Sequence, residues 1–286
     1  MKVKGIKKII SLSLCIICAF GMVGCGTSGE KTSSSSSSAS ESSSLLSQIK
    51  SKGKIVVGTS SGTGYVPYTF TDPKTNKIVG IDIELANAIA KEIGVDLEIQ
   101  DMTFSAVLAS IPTNKIDIAI AGICETEERK KSVDFSDIYL NSEQKILIRK
   151  EDKDKLKTLN DFKGKSVGAQ KATSQEKLAN SEITDANVLA IEKVPDVILE
   201  LKNKKIDGLV IEGVVAQQYM LVNDDLTLSD AEFKDKLKPT AMAFSKGNDD
   251  FKEIVNKVIK ENMDNGNIDK WIKQYSELAA NNAKGK

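Results

Sequence analysis

One arginine in this chain stands where helix electrostatics disfavour a cation. Thr126 has the side chain of a helix N-cap, Glu127 and Glu128 follow in the first turn, where the dipole favours acids, and Arg129 shares that turn. A residue that breaks a local rule is a candidate for function, and a guanidinium is suited to grip a carboxylate with its planar fork. The plainer reading is a surface arginine paired with the neighbouring glutamates. Thr173-Ser174-Gln175-Glu176 fits a capping box that opens a helix. Free backbone N–H groups at that end could receive a carboxylate, or the motif caps a helix and nothing more. Glu212 closes an apolar strand, where it could face an ammonium group or water. Tyr65, Tyr68, Phe70 and Phe104 form a small aromatic set. Phe70 reads as core, whereas Tyr65 follows the Gly-rich loop 58–64 and is expected to lie outside it.

The sequence contains no histidine, which excludes Ser-His-Asp and Cys-His catalysis and the histidine-based zinc sites. Carboxylate and lysine chemistry stay open without the commonest proton shuttle. No cofactor and no metal are expected. Charges of both signs are interspersed, 40 basic against 40 acidic, so nothing points to nucleic acid.

Short apolar strands alternate with amphipathic helices, the signature of an α/β fold. The spacing predicts a strand over 54–58, a helix over 81–93 stopped by Gly94, and a strand over 95–100. A short helix over 106–111 is broken by Pro112, and a buried strand follows over 116–121. A pattern then recurs: Lys115-Ile116-Asp117 before an apolar strand ending at Gly122 is echoed by Lys205-Ile206-Asp207 before one ending at Gly213. Two similar lobes, each with its own sheet, would produce this echo. Ligands of open α/β sheets gather beyond the carboxyl ends of strands, here at Gly122–Cys124 and Glu212–Gly213. Near the C-terminus Phe251, Ile254, Val255, Val258, Ile259 and Met263 make one apolar stripe with Gly266 as the stop, and a second helix over 268–280 carries Trp271, read as a core anchor.

The N-terminus reads as an address. Four lysines precede an apolar run of about 15 residues, shorter than the roughly 20 that span a bilayer, as in an export signal. Met22-Val23-Gly24-Cys25 resembles the lipobox of bacterial lipoproteins, which implies cleavage of residues 1–24 and acylation of Cys25. An ordinary secreted protein is the alternative. Removing the four lysines leaves 36 basic against 40 acidic residues, a mature charge near −4. The serine-rich stretch 25–44 has nothing to bury and is expected to be a flexible tether with a reach of about 25 Å. Only Cys25 and Cys124 remain after cleavage, so no internal disulfide is expected.

The stretches Gly64–Phe70, Gly80–Ala86, Ala121–Arg129, Val133–Asp137 and Asn265–Trp271, in this order and spacing, resemble one family: the amino-acid-binding lipoproteins of ABC importers. The similarity covers about Lys54 to Tyr275. It implies the type II periplasmic-binding-protein fold: two lobes, each a mixed, mostly parallel sheet flanked by helices, joined by two crossover segments. Lobe 1 would comprise 45–141 and 240–286, and lobe 2 145–238. The resemblance also implies roles. Arg129 would hold a ligand α-carboxylate, helped by the backbone N–H of Cys124 and by the cap at Thr173 and Ser174. Glu212 and the backbone of Ala121 and Gly122 would receive the α-ammonium, and Tyr65 and Phe104 would pack on the side chain. The chain departs from the family pattern at Cys124, where Thr or Ser is usual, and at Glu212, where Asp is common.

On this reading the protein is a monomer, not an enzyme, lipid-anchored on the outer face of the cell membrane of a Gram-positive-type bacterium. It captures a free L-amino acid and hands it to an ABC permease. Lys or Arg binders of the family it resembles often place an acid in the loop after the first strand. The loop 59–64 carries none, so the resemblance implies a neutral or polar ligand, with Gln170 as a side-chain contact; Asp82 or Glu143 near the site would reverse that preference. A dehydratase or lyase on the same fold, with Glu212 as its acid or base, and a surface adhesin or sensor are the rival readings.

Overall fold

The computed structural model describes residues 44–285. The export signal, Cys25 and all of the serine-rich stretch before Ser44 lie outside the described residues. Ser44 itself belongs to the folded body: its hydroxyl accepts from the Ser47 N–H and caps α1 (Leu45–Lys52), and it also donates to Asp250.

The apolar run after Lys54 becomes β1 (Lys54–Thr59), buried from Ile55 onward. A hairpin, β2 (Phe70–Asp72) and β3 (Lys77–Val79), leads into α2 (Ile81–Ile93). That helix buries Ile81, Leu85, Ala86 and Ile89 and stops at Gly94, whose left-handed backbone closes a bond to Ala90. Then come β4 (Asp96–Asp101), α3 (Phe104–Ser110), β5 (Ile118–Ala119), the single turn α4 (Glu127–Lys130) and β6 (Asp134–Phe135). The strand expected over 116–121 is paired only at its centre, although Asp117 and Ile120 continue its backbone bonds to Val56 and Gly58.

The second set of elements is β7 (Leu140–Arg149), β8 (Ser166–Gln170), α5 (Ser174–Glu182), β9 (Asn187–Ile191), α6 (Val194–Lys202), β10 (Gly208–Glu212), α7 (Gly213–Met220), β11 (Leu226–Leu228) and β12 (Leu237–Thr240). The chain returns through β13 (Ala243–Phe244) to α8 (Asp249–Asp264) and α9 (Asn267–Ala283). The described residues form a 5-stranded sheet in the order β4-β1-β5-β13-β6 and a 6-stranded sheet in the order β11-β7-β10-β8-β9, with β12 also on β7. Both sheets are mixed, as expected. The antiparallel share exceeds the expectation because β7, β12 and β13, the strands that carry the chain between the sheets, all pair antiparallel.

The Lys-Ile-Asp echo has a structural cause. Asp117 donates its N–H to Val56 and accepts the Val56 N–H on its carboxylate at 2.7 Å; Asp207 does the same with Ser166, at 3.1 Å. Each aspartate clamps the start of one parallel strand to its neighbour. One apolar cluster runs from α2 and α8 through Tyr65 and Tyr68 to Val197, Leu209 and Ile211. In α8 Phe251, Val255, Val258 and Ile259 are buried, and Phe251 meets Phe244 edge-on at 5.3 Å. Met263, expected in that stripe, is 51% exposed because the last turn runs past the core. Trp271 is half-buried at the margin of the cluster rather than at its centre.

The entry to α2 is packed most closely. Gly80 has φ 134°, and a Cβ there would lie 2.1 Å from the carbonyl oxygen of Tyr68. That contact lets Ile81 and Asp82 donate their N–H groups to Pro67 and Tyr68. Gly80→Ala therefore combines a positive-φ cost with a backbone collision, and urea unfolding is expected to show a loss of about 3 kcal/mol or more; a loss below about 1 kcal/mol would show that this turn is free to relax.

Candidate functional site

Arg129 is held by the turn that the sequence predicted. The Thr126 hydroxyl accepts the Arg129 N–H at 3.2 Å, and the guanidinium donates to the Cys124 carbonyl at 2.7 Å and the Ala172 carbonyl at 2.9 Å. It thus touches segments before α4 and before α5 at once, and lies 5.7 Å from the centroid of the Phe104 ring. Its neighbours do not neutralise it: Glu127 pairs with Lys130 and Glu128 with Lys177, each at 3.1 Å. Among the described residues no ion pair includes Arg129, and burial draws its pKa below the ordinary value. The arginine–glutamate pairing considered above is therefore not what the structure contains.

Two backbone donors stand beside it. Cys124 bridges Thr240 as the non-hydrogen-bonded pair of an antiparallel ladder, because Ile123 and Glu125 carry the flanking bonds. Its own N–H and C=O therefore point away from Thr240, on the side where the carbonyl meets Arg129. The start of α5 is the other donor. Thr173 caps it by accepting the Glu176 N–H, while the Glu176 carboxylate takes the Ala172 N–H at 2.6 Å rather than that of Thr173. The expected capping box is thus opened by one residue, since Ala172 adopts a left-handed backbone that turns its N–H toward Glu176.

The Glu212 carboxylate is fully buried and already engaged. It accepts from the Tyr65 hydroxyl at 2.6 Å and the Tyr68 hydroxyl at 2.5 Å, and pairs with the Lys238 ammonium at 2.9 Å. Lys238, 2% exposed, spends its other two donors on the Gly122 carbonyl and the Thr240 hydroxyl, both at 2.9 Å. Its Nζ lies 5.5 and 5.2 Å from the centroids of the Tyr65 and Tyr68 rings. Tyr65 is consequently a buried residue, not the exposed loop side chain expected, because its hydroxyl reaches Glu212 and also accepts from Gln175 at 3.0 Å. Burial, then the charge of Glu212, raises the pKa of both tyrosines well above the ordinary value. Beneath them Asp82 accepts from Gly122 N–H at 2.9 Å and from the Tyr139 hydroxyl at 2.7 Å.

Tyr65, Phe104, Ala121, Gly122, Cys124, Arg129, Thr173 and Ser174 surround one small space together with Ser60, Thr63, Gln170, Gln175 and Lys238. Its volume is about 10 Å³, the room of roughly one water. Glu212 does not reach this surface: Lys238 and the tyrosine hydroxyls stand between. Asp82 is likewise committed to the interior, and Glu143 is half-exposed in pairs with Lys145 and Lys236. The lining therefore carries two cations and no carboxylate. The sequence reading missed Lys238, which looks like a surface charge in the run Lys234–Lys238. No local signal marks it: in β12 the alternation is inverted, with Leu237 65% exposed and Lys238 buried.

Residues 55–277 match the bacterial extracellular solute-binding proteins, family 3. The chain belongs to this family. It is 33% identical over 275 residues to the arginine-binding extracellular protein ArtP of Bacillus subtilis, covering 94% of this chain and 98% of that one. It is 30% identical to the ABC transporter glutamine-binding protein GlnH of the same organism, with coverage of 94% and 98%. Among solved structures, an amino acid ABC transporter substrate-binding protein from Streptococcus pneumoniae, bound to L-arginine, superposes with a TM-score of 0.78 at 36% identity over 82% of this chain and 98% of its own. An ancestral amino-acid-binding protein, a precursor of cyclohexadienyl dehydratase, superposes with a TM-score of 0.73 at 31% identity over 81% of this chain and 99% of its own. The fold is thus the two-lobed one of this family of solute receptors.

Among the buried groups beneath Tyr65 and Tyr68, Asp82 has its pKa raised by burial from 3.8 to about 6, against the hydrogen bonds of Tyr139 and Gly122 and the charge of Lys238. A carboxyl whose folded pKa is raised binds protons that the unfolded chain has released. Its stabilising contribution is full below about pH 4 and is lost as pH rises through about 6. Asp82→Asn removes this dependence. Urea unfolding between pH 4 and 7 should give a wild-type-minus-variant stability difference that falls by about 2 kcal/mol over that range. Equal slopes would show that Asp82 titrates normally.

Proposed function

We propose that this chain is the receptor of an ABC importer, capturing an α-carboxylate solute of the amino-acid class between its lobes and presenting it to the permease. The observation that carries this reading is the Arg129 guanidinium, which has no carboxylate partner among the described residues and stands beside the Cys124 N–H and the N-terminus of α5. A guest carboxylate there would gain a bidentate ion pair and backbone N–H bonds from both sides of the cleft, displacing carbonyl contacts that do not neutralise the arginine. The relatives that bind arginine and glutamine supply the solute class. A neutral or polar side chain fits best, because Ser60, Thr63, Phe104, Gln170 and Gln175 line the space and a cationic one would meet Arg129 and Lys238.

Closure of lobe 1 (45–141 and 240–286) on lobe 2 (145–238) follows from the same contacts. The crossover strands β7 and β12 run side by side from Leu140 to Glu143 and Leu237 to Thr240, as a hinge of two adjacent segments requires. A guest bound from both sides favours the closed arrangement and shifts the population toward it. The lyase reading needs an acid or base aimed at the guest, and its candidate, Glu212, is held by Lys238 and two tyrosines. Cys25, with its lipobox-like surroundings, would tether a monomeric body to the outer face of the membrane.

Thermal-shift screening of amino acids and their α-carboxylate analogues, followed by calorimetry, tests the capture site. Arg129→Met should weaken the best guest by about 2–5 kcal/mol, because its buried carboxylate loses the charged partner. Unchanged affinity would remove Arg129 from the site. Cys25→Ala should move the protein from the membrane fraction to the medium in cell fractionation; retention at the membrane would end the lipid-anchor reading.

A further inference from the structure

The elements of the two sheets also meet at a contact that involves neither Arg129 nor the lining of the small enclosed space beside it. Tyr219 sits on α7, which packs on β7 and β10 of the 6-stranded sheet. Its hydroxyl donates at 2.8 Å to the carbonyl of Gly64, in the loop that follows β1 of the 5-stranded sheet. Burial, then the charge of Asp196, raises the pKa of Tyr219, so the hydroxyl keeps its proton and remains a donor. Gly64 has φ 75° and ends the single 3-10 turn Ser61–Thr63. A Cβ there would lie 2.6 Å from the Tyr219 oxygen and 2.6 Å from Cδ of Pro195, at the start of α6. Only a glycine lets both residues come this close. Tyr219 also borders a cavity of about 110 Å³ lined mostly by apolar side chains, Val66, Val222 and Ala280 among them, and such surroundings strengthen its hydrogen bond.

Gly64 is placed to transmit this contact. Its chain neighbours, Thr63 and Tyr65, both line the enclosed space beside Arg129, whereas Gly64, Pro195 and Tyr219 do not. Ser61 anchors the loop to its own sheet, its N–H and its hydroxyl each donating to Asp101 at 2.7 Å. The loop therefore moves with the 5-stranded sheet, and Tyr219 and Pro195 with the 6-stranded one. The Glu128–Lys177 pair also joins the two sets of elements, but its side chains are 73% and 65% exposed, so water and salt screen it.

We infer that Tyr219 is a positioning residue for capture: it latches the Gly64 loop when the lobes close, and so sets guest affinity without touching the guest. This rests on the capture and closure reading above and deepens it. The hydroxyl bond and the fit of Pro195 against Gly64 exist only while the lobes are together, so they weight the closed arrangement alone. Apparent affinity scales with the population of the arrangement that binds, and a contact made only there raises it by that contact's own factor. The latch acts on release, because the guest leaves only after the rim has parted.

Calorimetric titration of the purified wild type with the standard L-amino acids identifies the tightest of them, and stopped-flow kinetics then follow its release. Tyr219→Phe keeps the ring and removes only the donor. It should weaken that amino acid about three- to tenfold, through faster release, with little change in the urea midpoint of the protein free of amino acid. A contact serving folding alone would instead lower the urea midpoint and leave release unaltered. Gly64→Ala sets a Cβ against Pro195 and Tyr219 in the closed arrangement. It should weaken binding at least about tenfold and enlarge the radius of gyration of the amino-acid-saturated protein in small-angle scattering. Its positive-φ strain is present in open and closed arrangements alike, so it lowers the urea midpoint without favouring either. In that background Tyr219→Phe should weaken binding no further, since the hydroxyl has lost its acceptor. Affinity and release in Tyr219→Phe equal to wild type overturn the latch and leave capture at Arg129 standing. Saturation of wild type by no amino acid overturns capture and latch together.

Discussion

Two opposite charges buried together, Lys238 and Glu212, set the terms for the middle of this molecule. Withdrawing such a pair from water costs several kcal/mol per ion, and the pair persists only where every remaining donor and acceptor is met. Here the partners come from distant parts of the chain. Tyr65 and Tyr68 lie beside α2, Glu212 ends β10, Gly122 follows β5, and Lys238 and Thr240 sit on β12. Satisfying one ion pair thus brings the carboxyl ends of both sheets together. It also dictates local backbone. Gly122 takes φ 58° with its carbonyl on Lys238 and its N–H on Asp82, and a Cβ there would meet the Tyr65 ring at 3.0 Å.

Arg129 is the counterpart of that closed network. Its guanidinium is as firmly positioned, by a threonine cap, two carbonyls and an aromatic face, but its charge is left uncompensated by any carboxylate within the described residues. A satisfied cation and an unsatisfied one on the same small surface divide the labour. One is neutralised inside the enclosure, and the other keeps its charge without a carboxylate partner among the described residues. The glutamates flanking Arg129 make this possible by pairing with Lys130 and Lys177 instead.

Much of the architecture was legible before any coordinates. The helix over 81–93 matched in both ends because its apolar period and Gly94 are local signals, and the Thr126 and Thr173 caps were legible for the same reason. The Lys-Ile-Asp echo marked two equivalent strand clamps, since an aspartate just before a parallel strand binds the backbone of its neighbour in both sheets. Where the reading slipped, non-local contacts were responsible. Tyr65 was expected outside the core because its loop is rich in glycine, yet a hydroxyl bond to a residue 147 positions away buries it. Met263 continued an apolar stripe whose core ends one turn sooner.

By itself the sequence determined the alternation of strands and helices, the caps, the stops and the family-like order of motifs, because these depend on side-chain period and on residues within a turn or two of each other. It also singled out Arg129, whose position against a helix dipole is a local anomaly. Only the tertiary structure decided that Lys238 lies inside and Leu237 outside, and that Glu212 faces a lysine of its own chain rather than open cleft. Charge burial is a property of the whole enclosure: it depends on which distant hydroxyls and carbonyls converge, and no pattern along the strand encodes that convergence.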